Sequence, residues 1–416
     1  MLDITKITDN RYRDLFNAFL EHLTQWGTTG VEPAEATAGV RRFLDLKEAR
    51  LKAHGLTEHR TFESDHDRTK DFAYGDHVWA TGRPVRQRLT LFRGDQRIHQ
   101  TSKRLFMRML VLDAGEGPGQ KDQRYACPNC GAIETLDRLS GAGCSYCRSR
   151  FMMSELFPKI MNYYALDDIV EADTLKRHLK VFVIAGGATF AGALLFSTIL
   201  SGKIITQPIE TIFGALTVFA FGALFAFLVV SMMLIFAVVA KGLIELPAGV
   251  DMIRSKRQLK QYLAAIDPQF SYEYIESKIV SLLQQIVFSD DASTLTIYQG
   301  VPLGDRYKSI LDLNYRGIFG LVDGQTHGDT FLMVVDVPMQ ALVMSQGRIR
   351  EQKKIFRMTL THRIDVPIRY NFSIELVKCA SCGASFDAYT EQHCPYCGSF
   401  YELHRDDWVV LSCTDA

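Results

Sequence analysis

Eight of the nine cysteines in this chain stand in CxxC pairs, the spacing at which thiols bind metal. Cys127-Pro-Asn-Cys130 is followed by Cys144-Ser-Tyr-Cys147, and Cys379-Ala-Ser-Cys382 by Cys394-Pro-Tyr-Cys397. Two intervening residues let both sulfurs face one ion while amides of the turn point at them. Residues 131–143 and 383–393 separate the pairs, loops short enough to bring two knuckles onto one tetrahedral centre. Each group of four therefore reads as a zinc ribbon holding a structural Zn2+, closed to any substrate. The competing chemistries fit less well. A redox CxxC stands singly at a helix start, disulfides need an oxidising compartment, and iron–sulfur ligation usually uses other spacings. Glycine follows Cys130, Cys382 and Cys397, where a knuckle turns through positive φ, but Arg148 follows Cys147. Cys413 is left over.

The remaining reactive residues are scattered. His327 lies between Gly324 and Gly328, with Asp336 and Asp365 further on, and each reads as a turn or strand-end residue rather than a general base. The acidic stretch 63–71 around His66 reads as a solvated loop. There is no phosphate-cradling glycine loop and no nucleophile motif, so no catalytic residue is expected. One basic stretch stands out: Arg83, Arg86, Arg88, Arg93, Arg97, Lys103, Arg104 and Arg108, opposed only by Asp95. On alternating strands Arg86, Arg88, Arg97 and Arg104 would turn toward water and could contact anionic lipid headgroups or nucleic acid.

The elements that must position these groups follow from composition and pattern. Lysine plus arginine and aspartate plus glutamate each total 47, so no whole-chain basic field recruits polyanions. With 47% hydrophobic and 23% charged residues, the 416-residue chain is neither disordered nor collagen-like, and its length suggests two or three domains. The segments 181–200 and 212–240 lack charged residues and predict two transmembrane helices joined by a short loop with Gly202 and Pro208. Lys176, Arg177 and Lys180 precede this hairpin, and Lys241, Arg254, Lys256, Arg257 and Lys260 follow it. The loop itself holds only Lys203, so both flanking parts are expected in the cytoplasm. With no ionisable residue inside either span, the hairpin reads as an anchor. The polar start MLDITKITDN carries no signal-peptide core.

The surroundings of the two ribbons match. Arg83-Pro84-Val85 and Val337-Pro338-Met339 open alternating stretches that turn at Arg93-Gly94-Asp95 and at Ser345-Gln346-Gly347. Upstream of each lies an amphipathic helix. The first carries Tyr12, Leu15, Phe16, Phe19, Leu20, Leu23 and Trp26; the second follows Asp267-Pro268 and carries Tyr272, Ile275, Ile279, Leu282, Leu283 and Ile286. The expected architecture is a duplicated α+β domain on either side of the hairpin. Its parts are a divergent α+β domain over 1–126, a ribbon over 127–150, and a juxtamembrane helix over 151–180. After the spans come a basic juxtamembrane helix over 241–266 and a second α+β domain over 267–416, with its ribbon at 379–398.

Asp267-Pro-Gln-Phe270, the late strand series, the CxxCGA and CPYCGS knuckles and the terminal Asp407-Trp408 resemble the Tim-forty-four-like domain family, in its bacterial zinc-ribbon form. The resemblance implies two cone-like, nuclear-transport-factor-two-like sheets wrapped around helices, and a docking role. The expected protein is then integral to a bacterial cytoplasmic membrane and tethers an unidentified cytoplasmic protein or assembly there. A ribosome or nucleic acid is the alternative partner, and self-association into a homo-oligomer is compatible with either. The family defines no catalytic residues to carry over.

Overall fold

The computed structural model describes residues 6–64, 68–74, 78–114, 124–167, 258–259, 261–264, 272–317, 319–365 and 377–416. Helix α1 (Arg13–Thr29) buries Phe16, Phe19, Leu20, Leu23 and Trp26, spaced three and four apart, against the sheet. It ends at Gly30, whose φ of 70° supplies a left-handed C-cap. Gly27 is fixed by close approach: a Cβ there would stand 2.8 Å from the Glu58 carbonyl oxygen. Helix α2 (Ala38–Ala53) presents Val40, Phe43, Leu44, Lys47 and Leu51 inward. Two short helices, α3 (Leu136–Ser140) and α4 (Met153–Leu156), follow the first knuckle pair. Helix α5 (Tyr272–Phe288) is buried on nearly every side.

The strands before the first ribbon are β1 (Lys6–Asp9), β2 (Thr57–Ser64), β3 (Lys70–Tyr74), β4 (Val78–Arg93) and β5 (Gln96–Leu112). A small pair, β6 (Arg124–Ala126) with β7 (Ile133–Thr135), belongs to that ribbon, and β8 (Lys159–Asp167) follows it. The second series is β9 (Ile310–Tyr315), β10 (Gly320–His327), β11 (Thr330–Ser345) and β12 (Arg348–Arg363). It continues through β13 (Val377–Lys378) and β14 (Ser385–Phe386), which pair in the second ribbon, and closes with β15 (Val409–Asp415).

Eleven of these strands form one sheet along β1-β3-β4-β5-β8-β9-β11-β12-β15, with β2 beside β4 and β10 beside β11. The pairing order repeats. Two short strands pair with a long strand, a tight turn returns a second long strand, and the strand after the ribbon pairs with that one. The prolines of the sequence repeat occupy matching places. β4 pairs with β3 up to Gly82 and with β2 from Val85, so Pro84 falls at the changeover. β11 likewise changes from β10 at Asp336 to β9 at Met339, around Pro338. A residue without N–H sits best where the ladder is already interrupted.

Two separate cone-like domains flanking a membrane hairpin are not what the described residues form. Residues before 168 and after 251 make one compact unit, joined where β8 runs parallel to β9 at Leu166 and Tyr315. Neither half closes alone, because α5 packs against α2 and β8 of the first half as well as β9 of its own. Phe43 of α2 meets Phe288 of α5 edge-on at 5.6 Å.

The membrane expectation is corrected as well. Among the described residues no helix is long and apolar enough to cross a membrane. The longest, α1 and α5, have 17 residues, about 25 Å of helix against a hydrocarbon core of about 30 Å. An integral membrane protein is therefore not supported; 181–200 and 212–240 lie outside the described residues, as do His66 and Asp267–Phe270.

Candidate metal centres

All eight CxxC cysteines converge as two groups. Within each group the four sulfurs lie within 4.8 Å of one another. Cys127 faces Cys147 at 3.6 Å and Cys130 faces Cys144 at 3.5 Å. The second group repeats this, with Cys379 to Cys397 at 3.6 Å and Cys382 to Cys394 at 3.7 Å. A disulfide needs about 2.05 Å, so these are free thiols aimed at a common point. Each group is positioned to hold a metal ion.

The backbone explains the convergence. In every knuckle the amide four residues after the leading cysteine donates back to that cysteine's carbonyl. These bonds run from Gly131 to Cys127, Arg148 to Cys144, Gly383 to Cys379 and Gly398 to Cys394, all at 2.8–2.9 Å. The donor must turn through positive φ, and does so at 70°, 66°, 75° and 73°. Arg148 thus adopts the glycine conformation despite its side chain.

Polar neighbours favour the thiolate at one position common to both groups. Burial pushes the Cys147 thiol up, but the hydroxyl and amide of Ser149 and the Asn129 side chain pull it down to about 6. At the matching position the hydroxyl and amide of Ser399 pull Cys397 down to about 6. Cys382 is opposed: the Ala384 amide favours its thiolate, yet burial and the neighbouring thiols push it up to about 12.

The two ribbons touch, a contact that no local pattern in the sequence marks. The Tyr146 hydroxyl donates to the Gly383 carbonyl at 3.0 Å, and the Ser385 hydroxyl donates to the carbonyl of Cys130. The Lys378 ammonium lies 4.2 Å from the centre of the Tyr146 ring. The second ribbon also reaches α2, where Arg42 pairs with Asp387 at 3.0 Å and stacks over Tyr389 at 4.0 Å.

A second constellation lies inside the core. Lys47 bridges Glu58 at 3.0 Å and Asp312 at 2.9 Å, while Arg60 bridges the same two carboxylates at 2.7 and 3.0 Å. Gln87 accepts a further bond from Arg60 at 3.1 Å. All five side chains are buried. Burial pushes both carboxyls up, and the Arg60 and Lys47 cations more than reverse it, holding Glu58 and Asp312 below the usual carboxylate range. The signal was present in α2, where Lys47 occupies a position of the apolar stripe formed by Val40, Phe43, Leu44 and Leu51.

The other candidates do not assemble into a site. Arg86 and Arg88 are exposed on β4, with Arg104 opposite Arg86 on β5. Arg88 lies 4.0 Å from Glu63, and Arg97, exposed near the turn, bonds Gln100. His327 bonds Gln325 in the β10–β11 turn, Asp336 pairs with Arg357 at 2.7 Å, and Asp365 pairs with Arg363. Asp407 holds Lys278 of α5 at 2.6 Å beside the buried Trp408. Cys413 is buried in the main core, where its surroundings push its thiol up to about 12, an unreactive state. No protein-family model, no curated protein and no solved structure matches the chain.

Proposed function

We propose that the chain is a zinc-stapled docking protein whose paired ribbons present a rigid aromatic surface to a protein partner. Zinc is the metal that best suits four thiolates on tetrahedral corners. A Zn–S length of about 2.3 Å gives a sulfur–sulfur edge of about 3.8 Å, close to the 3.5–3.7 Å separations. The sites are closed, so the ion supplies rigidity rather than a reactive position. The observation that carries the docking reading is the exposure of Tyr146, Tyr396 and Phe400, at 55%, 71% and 55%, on or beside metal-held knuckles. Aromatic anchors on a preorganised scaffold are what protein interfaces use most. The docking role implied by the Tim-forty-four-like resemblance fits this surface. The test is affinity capture by the full chain and by Tyr396→Ser/Phe400→Ser, with bound proteins identified by mass spectrometry. A stoichiometric partner captured only by the parent chain supports the reading; equal capture by both overturns it.

A second reading rests on the outward arginines of β4 and β5. Exposed Arg86 and Arg88 alternate on one strand, with Arg104 across from Arg86, forming a stripe suited to phosphates. Replacing Arg86, Arg88 and Arg97 by glutamate should abolish any salt-sensitive retention of nucleic acid while the ribbons keep their metal. Undiminished retention rules this surface out.

A further inference from the structure

We infer that the two metal sites form one coupled binding unit, in which occupancy of either ribbon raises the metal affinity of the other; this rests on the metal-ribbon reading above. The contacts between the ribbons run through the metal-binding loops themselves. Tyr146 stands between the ligands Cys144 and Cys147, and its hydroxyl donates to Gly383, the residue following the ligand Cys382. Ser385 follows the other ribbon's first knuckle and donates to the carbonyl of Cys130, itself a ligand. Each ribbon thus gives one hydrogen bond to the other and receives one. Lys378, next to Cys379, adds a cation–π contact on the Tyr146 ring. An added Cβ at Gly383 would lie 3.2 Å from the Tyr146 oxygen, so the knuckle turn and the hydroxyl meet at close packing.

Coupling follows from how such ribbons fold. Each four-cysteine loop has only a small apolar cluster around its knuckles, so metal binding includes the cost of ordering them. Once one ribbon is ordered, its donor and its acceptor stand ready, and the second ribbon gains the shared contacts as it binds. Two hydrogen bonds and a partly exposed cation–π contact correspond to roughly tenfold in affinity, within the span of about 5–150-fold usual for coupled sites. Linkage requires the same factor in both directions.

The experiment is a Co2+ titration of the full chain against a chromophoric chelator, following the thiolate-to-cobalt absorption. The parent chain should bind two ions with positive cooperativity. Tyr146→Ala/Ser385→Ala retains all eight ligands, removes both hydrogen bonds and the ring facing Lys378, and should still bind two ions, with the cooperativity lost and the last-filled site weakened roughly tenfold. As a reciprocal check, Cys147→Ser should weaken the second ribbon, and Cys397→Ser the first, by equal factors. Two independent sites in the parent, or unchanged cooperativity in the double variant, overturns the coupling while leaving the metal reading intact. Failure to bind cobalt through thiolates overturns both.

Discussion

Replacing Asp312 by asparagine keeps the shape of the side chain and removes one charge from a buried network of two cations and two anions. In the parent, Lys47 and Arg60 each touch both carboxylates at 2.7–3.0 Å, and no net charge is buried. With Asp312→Asn, two cations share Glu58 alone and one positive charge is left without compensation. Breaking a buried pair from one side costs about 3–5 kcal/mol, a large share of the about 5–15 kcal/mol typical of a folded domain. With a urea m-value of about 3 kcal/mol/M, the unfolding midpoint followed by circular dichroism should fall by about 1 M or more. Adding Lys47→Met to the asparagine variant removes the excess charge, so the two changes should be non-additive by about 2 kcal/mol. An asparagine variant within about 1 kcal/mol of the parent, or strict additivity in the pair, would refute the network as described. The pH dependence has a definite sign. Both carboxyls are held below their ordinary range by the neighbouring cations. Their contribution is complete above the unfolded carboxylate pKa of about 4 and is lost as pH falls below it. Asp312→Asn should accordingly flatten the acid limb of the stability profile.

Two further outcomes concern the ribbons. Arg148→Gly should stabilise the metal-loaded first ribbon by about 0.5–1 kcal/mol, the left-handed strain relieved less the added freedom of the unfolded glycine. A higher chelator concentration for half-removal of the metal would register it, and an unchanged value would mean that Arg148 bears no strain. Removing the metal with a strong chelator, or one ligand with Cys127→Ser, should abolish hydrogen-exchange protection across residues 127–147 while β4 and β5 keep theirs. Protection unchanged after verified metal removal would contradict a structural role for the ion.

What the sequence revealed and what it hid divide along the distance between interacting residues. The metal ligands of each ribbon lie within a short stretch, and two-residue spacing constrains them locally, so Cys127–Cys147 and Cys379–Cys397 were readable as groups. The repeat was readable for a similar reason, because Pro84, Pro338 and the glycine turns mark backbone requirements of the strands that contain them. The docking of one ribbon on the other was not, since Tyr146 and Gly383 stand 237 residues apart and neither is unusual in its own loop. Glu58 and Arg60 give no sign of their burial in the sequence, for a physical reason. Charges at alternate positions of a strand ordinarily mark its wet face, and here they face inward because Lys47 and Asp312 meet them there. The same locality explains the error over two domains: amphipathic helices and alternating strands show that an apolar face must be covered, but not by which half.

The join between the halves rests on packing more than on the sheet. Between β8 and β9 the sheet is continuous through a single registered pair, Leu166 with Tyr315, and one parallel bridge contributes little by itself. The side chains around it do more. Glu276 of α5 accepts hydroxyl bonds from Tyr164 of β8 at 3.1 Å and from Tyr315 of β9 at 3.0 Å, fastening both strands to one helix turn. At the other end of α5, Arg50 of α2 donates to the carbonyls of Val287, Ser289, Tyr307 and Ile310 at 2.8–3.3 Å. A buried cation there satisfies oxygens that a helix C-terminus leaves unpaired and meets the negative end of its dipole. The charge network adds Asp312 from the second half to Lys47, Glu58 and Arg60 from the first. Arg50 and Asp312 bury charges whose bonds here run to the other half. The halves therefore share one core, and together they carry the paired ribbons on a single scaffold.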